Sequence, residues 1–173
     1  MSPQLIDLLI TSLLDTLLMV GVASAIAVVI GIPLGVTLTV TARGNMLENQ
    51  PVNHVLGAII NATRSVPFVI LMVAIIPFTR LVAQTSIGTT AAIVPLSVAA
   101  IPFMARIAEN AMREVDPGLI TAARAMGASP MQIILKVLLP EALPGIIGAT
   151  IVTVVSLIGY SAMAGAIGGG GLG

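Results

Sequence analysis

The residues that decide how this chain folds are Asp116-Pro117-Gly118-Leu119-Ile120-Thr121-Ala122-Ala123-Arg124-Ala125-Met126-Gly127-Ala128-Ser129-Pro130-Met131-Gln132-Ile133-Ile134-Leu135-Lys136-Val137-Leu138-Leu139-Pro140. They form a polar, punctuated island in a chain that is otherwise apolar. Asp116 can cap a helix whose first residue is Pro117, a position where proline's missing N–H is no loss. Gly127 can stop that helix, because a residue without Cβ enters the left-handed conformation freely. Ser129, Pro130 and Gln132 then read as N-cap, N1 and N3 of a second helix, a Ser-x-x-Gln capping box. Pro140 is expected to end it. The spacing predicts a hairpin of two short helices with a glycine elbow.

Each arm is shorter than the ~12–15 residues that an isolated helix needs in water, so something else must hold it. Met131, Ile134, Leu135 and Leu138 recur at i, i+3, i+4 and i+7 and can rest on the membrane surface or on the protein's own spans. The small Ala122-Ala123 face can equally serve as a knob for a groove on another protein. Both holders stay open on spacing alone.

The surroundings of the island are membrane. With 57% hydrophobic and 8% charged residues and a mean hydropathy of +1.13, the 173-residue chain is not an ordinary soluble domain. Several apolar stretches approach or exceed the ~20 residues that cross a bilayer core. An all-α integral membrane protein follows, with one transmembrane domain over residues 1–173. Met1-Ser2-Pro3-Gln4 has no basic lead and reads as an uncleaved start, with Leu5 to Leu14 as a partly amphipathic lead-in. Four spans are expected, near residues 17–41, 55–78, 88–105 and 143–166, with the island as a loop over 106–142. In the first span, Gly31 and Gly35 form a Gly-x-x-x-Gly pair around Pro33, and this face is expected to pack closely on another helix. The second span reaches a useful length only by including Arg64. Its stem can snorkel to the interface, or Arg64-Ser65-Val66-Pro67 can line a water-accessible cavity. His54, the single histidine, has no neighbouring ligand and reads as a surface residue.

The island holds eight of the fourteen charged residues. Arg43, Arg106, Arg113, Arg124 and Lys136 lie on one side of the spans and Arg80 alone on the other. By the bias of basic residues, the island is cytoplasmic and the N-terminus outside.

Several function classes are excluded by what the sequence lacks. No Gly-x-x-x-x-Gly-Lys-[Ser/Thr] loop is present to cradle nucleotide phosphates, and no nucleophile–base pair or metal-ligand cluster stands out. Gly168, Gly170 and Gly173 fit the spacing of a dinucleotide fingerprint, but that fingerprint needs a strand before it and a helix after it. A membrane span precedes these glycines, and they read as a flexible connection. Buried ionisable candidates reduce to Arg64. The chain reads as no enzyme, with no cofactor of its own and no nucleic-acid partner. Any energy for transport must come from a partner.

The island resembles the cytoplasmic loop of permease subunits of ABC-type importers, whose pattern is Glu-Ala-Ala, three residues, Gly, nine residues, then Ile-x-Leu-Pro. Here it reads Thr121-Ala122-Ala123, Gly127, then Val137-Leu138-Leu139-Pro140, with every gap of the right length. Thr121 replaces the acidic residue, which removes any ion pair that residue makes. The resemblance extends through Arg64-Ser65-Val66-Pro67-Phe68, the stretch from Val73 to Arg80, that from Gly88 to Leu96, and Gly159-Tyr160-Ser161-Ala162-Met163-Ala164-Gly165. Together they are similar to the membrane subunits of methionine-uptake ABC importers from about Leu13 onward.

That resemblance implies a homodimeric permease of the inner membrane, cytoplasmic ATP-binding subunits that carry ATP and Mg²⁺, and an external binding protein that delivers methionine. It makes Thr121, Ala122, Ala123, Arg124, Met126, Gly127 and Pro140 the coupling elements that meet the ATPase. A fifth span is expected for the family, so the chain is a fragment or a naturally short member. For the translocation path the candidates are Arg64, Pro67, Tyr160, Ser161 and Met163, with Met163 either a gate or plain packing. Another amino acid or small solute as cargo, or a passive channel without an ATPase, are the alternatives.

Overall fold

The computed structural model describes residues 3–173, with the side chains of all but residues 166 and 167. The start at Met1-Ser2 lies outside the described residues. Among the described residues every regular element is helical.

α1 (Pro3–Thr41) is one helix of 39 residues, so the expected lead-in and first span are continuous, and it stays helical through Pro33. Apart from that proline, nothing in the stretch favours a break. Its threonines Thr37, Thr39 and Thr41 return their hydroxyls to carbonyls four residues back, which hides them in an apolar helix. Gly31 and Gly35 face α5 (Thr89–Arg113). A Cβ at Gly31 would lie 2.9 Å from Met104 Cβ, and one at Gly35 only 2.7 Å from the Ala105 carbonyl oxygen. The Gly-x-x-x-Gly pair thus does what small residues do in lipid, letting two backbones touch. Ala23, Ala27, Ala100, Met104 and Ala108 close the seam.

Residues 55–78, expected as one span, are broken. α2 (Gln50–Ser65) and α3 (Phe68–Ala74) meet at an angle of 105°. α4 (Ile76–Ala83) then carries the chain towards α5. Pro67 explains the break: it has no N–H to continue the ladder, and it drives Val66 to an extended backbone of φ −85°, ψ 126°. α1, α5 and Pro130–Ala164 are long and apolar enough to cross a membrane, and the bent pair counts as a fourth crossing if taken as one span.

After α5 the chain enters α6 (Pro117–Ala125), turns, and enters α7 (Pro130–Ile133). Pro140 does not end this second arm. α7, a π-helical turn at Ile134–Leu138 and α8 (Leu139–Ala164) form one 35-residue helix. A proline inside an α-helix strands the carbonyl four residues back and crowds it. Here the turn before Pro140 is widened. Leu139 N–H donates to the Ile134 carbonyl five residues back, and Pro140 falls in the first turn of α8. The expected apolar stripe is divided as well: Ile134 and Leu138 enter the core beside Ile133, while Met131 and Leu135 stay exposed.

The glycine tail is no loose connection. Gly88 N–H donates to the Gly168 carbonyl at 2.8 Å, and Leu172 N–H to the Thr16 hydroxyl at 3.0 Å. These bonds fasten the segment after α8 against the start of α5 and the N-terminal half of α1.

Candidate functional site

The hairpin is built from local parts. The Asp116 carboxylate accepts from Gly118 N–H at 2.7 Å, filling one of the orphan donors of α6. At the elbow Gly127 has φ +80°, and its N–H and that of Ala128 close on the carbonyls of Arg124 and Ala123. Ser129 and Gln132 form the reciprocal capping box, with Ser129 N–H to Gln132 Oε1 at 2.9 Å and Gln132 N–H to Ser129 Oγ at 3.4 Å. Ala123 is the one buried residue of α6. Its partner Ala122 is exposed, as are Thr121, Arg124 and Met126, the last 82% so. Ile120 packs against the core of the bundle, Ala123 and Ile133 are buried, and Leu119, Met126 and Met131 face outward. Thr121 turns its hydroxyl back to the Pro117 carbonyl at 2.9 Å and is already occupied.

The base of the hairpin lies next to an ion-pair hub that sequence reading missed. Glu109 is 1% exposed and bonds Arg106 and Arg113, each at 2.6 Å. Arg106 also donates to Asn61 Oδ1 at 2.8 Å, which ties α2 to α5. Both carboxylate oxygens of Glu109 are used, as a buried anion requires. The spacing i, i+3 and i+4 before and after Glu109 was the available signal. The buried ionisable group is therefore Glu109, not Arg64.

Arg64 is exposed, at the last turn of α2, with its guanidinium 5.9 Å from the centre of the Phe103 ring. It borders a cavity of about 150 Å³ with Val66, Phe68, Phe103 and Tyr160. Pro67 lies at the break beside it. Phe68 and Tyr160 stack with centroids 4.7 Å apart and planes 9° from parallel. Tyr160 is thus brought to Arg64. Ser161 and Met163 are not: the Ser161 hydroxyl is buried and bonded to the Ile158 carbonyl at 2.8 Å, and Met163 is 47% exposed on α8. Phe103 was also missed, though the chain has only three Phe and one Tyr, and their scarcity was a signal. His54 is exposed, as expected. Among the described residues no group of His, Cys, Asp or Glu could hold a metal.

Residues 27–173 match the family of binding-protein-dependent transport system inner membrane components. The chain belongs to that family. It is a transmembrane permease subunit of an ABC importer, of the inner membrane. Among relatives of this permease, the probable D-methionine transport system permease protein MetI of Vibrio cholerae is 59% identical over 96% of this chain and 74% of its own length. That of Pasteurella multocida is 54% identical over all of this chain and 80% of its own length. The D-methionine transport system permease protein MetI of Escherichia coli is 53% identical over 95% and 76%. A crystal structure of inward-facing conformations of the MetNI methionine ABC transporter superposes with a TM-score of 0.98 at 53% identity, covering all of this permease and 80% of that chain. An amino acid ABC transporter solved with histidines shares the fold at 23% identity and a TM-score of 0.78, over 98% and 76%.

Proposed function

We propose that two copies of this chain form the inner-membrane path of a methionine importer. The hairpin at residues 117–133 faces the cytoplasm and docks into an ATP-hydrolysing subunit, which holds the ATP and Mg²⁺. The N-terminus lies outside, where a binding protein delivers the substrate. The observation that carries this reading is identity of 53–59% along nearly the whole chain to permeases named for D-methionine transport.

The hairpin supports the docking half. Its arms are pre-formed by caps, so little ordering remains to be done on binding, and Leu119 and Met126 offer an apolar surface beside Arg124. Because the second arm runs without interruption into α8, a push on the elbow reaches the membrane along one helix. At the far end of that helix the exposed Met163 is the gate in this reading, where a flexible side chain from each of two copies can close a narrow path. Ser161 contributes there by packing and Tyr160 through its stack on Phe68. Pro67 fixes the break that brings Arg64 to the path.

Reconstitution of the permease with its ATPase and binding protein in vesicles tests the whole. ATP-dependent accumulation of labelled methionine against a gradient is the expected result. Accumulation of a different solute only would reassign the cargo. Equilibration without ATP, and no ATPase co-purifying with the permease, would make the chain a passive channel.

A further inference from the structure

Arg64 is a cation with no anionic partner among the described residues. Among the described residues its guanidinium makes no ion pair and no hydrogen bond, only the face contact with Phe103. It lies in the last turn of α2, fourteen residues beyond the helix start, about 21 Å along that helix at 1.5 Å per residue. The fold answers Arg106, on the neighbouring helix, with both Glu109 and Asn61. Arg64 has the Phe103 face and the negative pole of its own helix end, but no anion among the described residues. What surrounds it instead is a cavity of about 150 Å³ whose walls include three of the chain's four aromatic rings, Phe68, Phe103 and Tyr160. These come from three separate helices, so only the folded bundle makes the site.

The break in the second span adds its own polarity. α2 ends at Ser65, and the C-terminal end of a helix carries the negative pole of its dipole. The cavity therefore joins a fixed cation, a carbonyl-rich helix end and apolar rings. In broken membrane helices, C-terminal ends and freed carbonyls of this kind hold cations.

We infer that the Arg64–Phe103–Tyr160 cavity is a transient subsite within the membrane for an α-amino acid with an unbranched apolar side chain. The carboxylate meets the Arg64 guanidinium, the ammonium faces the end of α2, and the side chain lies along the rings. A thioether suits those rings better than an alkyl chain of equal length, because polarisable sulfur gains from contact with an aromatic edge. This rests on the proposed reading of the cargo as methionine and adds where and by what chemistry the permease itself holds it.

The test uses the assembled transporter in nanodiscs without its binding protein, irradiated with a diazirine analogue of methionine, followed by mapping of the labelled peptides. Labelling of segments 63–68, 99–103 and around Tyr160, suppressed by excess unlabelled methionine, is expected. Loss of a charge-assisted contact should lower that labelling about tenfold or more in Arg64→Gln, with partial recovery in Arg64→Lys. Norleucine should compete less well than methionine, and Phe103→Leu should narrow the difference. Co-purification of the ATPase with each variant separates a lost site from a lost fold. If Arg64→Gln fails to assemble, Arg64→Lys and Phe103→Leu carry the test. Wild-type uptake in vesicles keeps the two readings apart: its absence refutes the methionine cargo. Uptake with labelling elsewhere, or with labelling unchanged in Arg64→Gln, refutes the subsite alone.

Discussion

Two proline-marked junctions in this chain look alike on paper and are held by different means. The hairpin at residues 116–132 is closed by its neighbours in sequence: Asp116 caps two residues ahead, Ser129 and Gln132 cap each other, and Gly127 turns at φ +80° with open space where a Cβ would go. The break at residues 63–68 has no side-chain cap at Pro67, and its nearest backbone closure is Val66 N–H to the Thr63 carbonyl at 3.4 Å. What sets its direction is distant in sequence, namely the Phe68 stack on Tyr160 and the Arg106 bond to Asn61. A turn made of caps is stiff wherever it is placed. A bend made of packing is as firm as the helices around it, and it shifts when they do, which is suited to a path that must open and close.

The largest blow to the tertiary junction is Phe68→Ala. Phe68 is buried, and truncation of such a ring costs about 3–5 kcal/mol. Melting of the purified transporter should fall accordingly, and spin labels on α2 and α3 should report a broadened angle; the absence of native cysteines makes that labelling clean. An unchanged distribution would mean that Pro67 alone sets the bend. Next comes Glu109→Ala, which strands two guanidinium groups. Breaking a buried pair costs about 3 kcal/mol or more, moderated here because Arg113 is half exposed. The hub variant should loosen α2 while leaving the hairpin's hydrogen-exchange protection intact.

At the local junction the effects are smaller in energy and sharper in function. Gly127→Val forces a β-branched residue into the left-handed region, a strain of about 1–2 kcal/mol. The protein should still insert, and ATP-driven uptake should be lost; full uptake would count against docking through the elbow. Ser129→Ala removes half of the capping box, about 1 kcal/mol, visible as faster amide exchange at Met131 and above all at Gln132, whose N–H the Ser129 hydroxyl accepts. Smallest is the loop before α2, where the Gln50 side-chain amide and Gly44 N–H hold the Glu48 carboxyl below the usual carboxylate range. Its contribution is present above the ordinary carboxylate pKa and fades as pH falls through the lowered value. Glu48→Gln should erase that acid-side slope and little else.

The legible parts of this protein were those whose causes lie within a few residues of one another. Asp116, Gly127 and the Ser129–Gln132 pair specify their hairpin because a cap or a positive φ is satisfied in place, and the apolar stretches announce a membrane because bilayer thickness counts residues. Gly31 and Gly35 announced a close contact but not with which helix. Three features belong to the fold alone. Pro140 continues a helix rather than ending it, because the π-turn before it relieves the crowding that its ring would cause. The 105° direction of the break goes with the rings of α3 and α8 that meet beside it, whereas Pro67 breaks the span by itself. Glu109 is buried because α1 approaches over Gly35 and two arginines converge on it. Hydrogen bonds between sequence neighbours are fixed by spacing, whereas burial, and with it the worth of every charge, depends on which helices the folded bundle brings together.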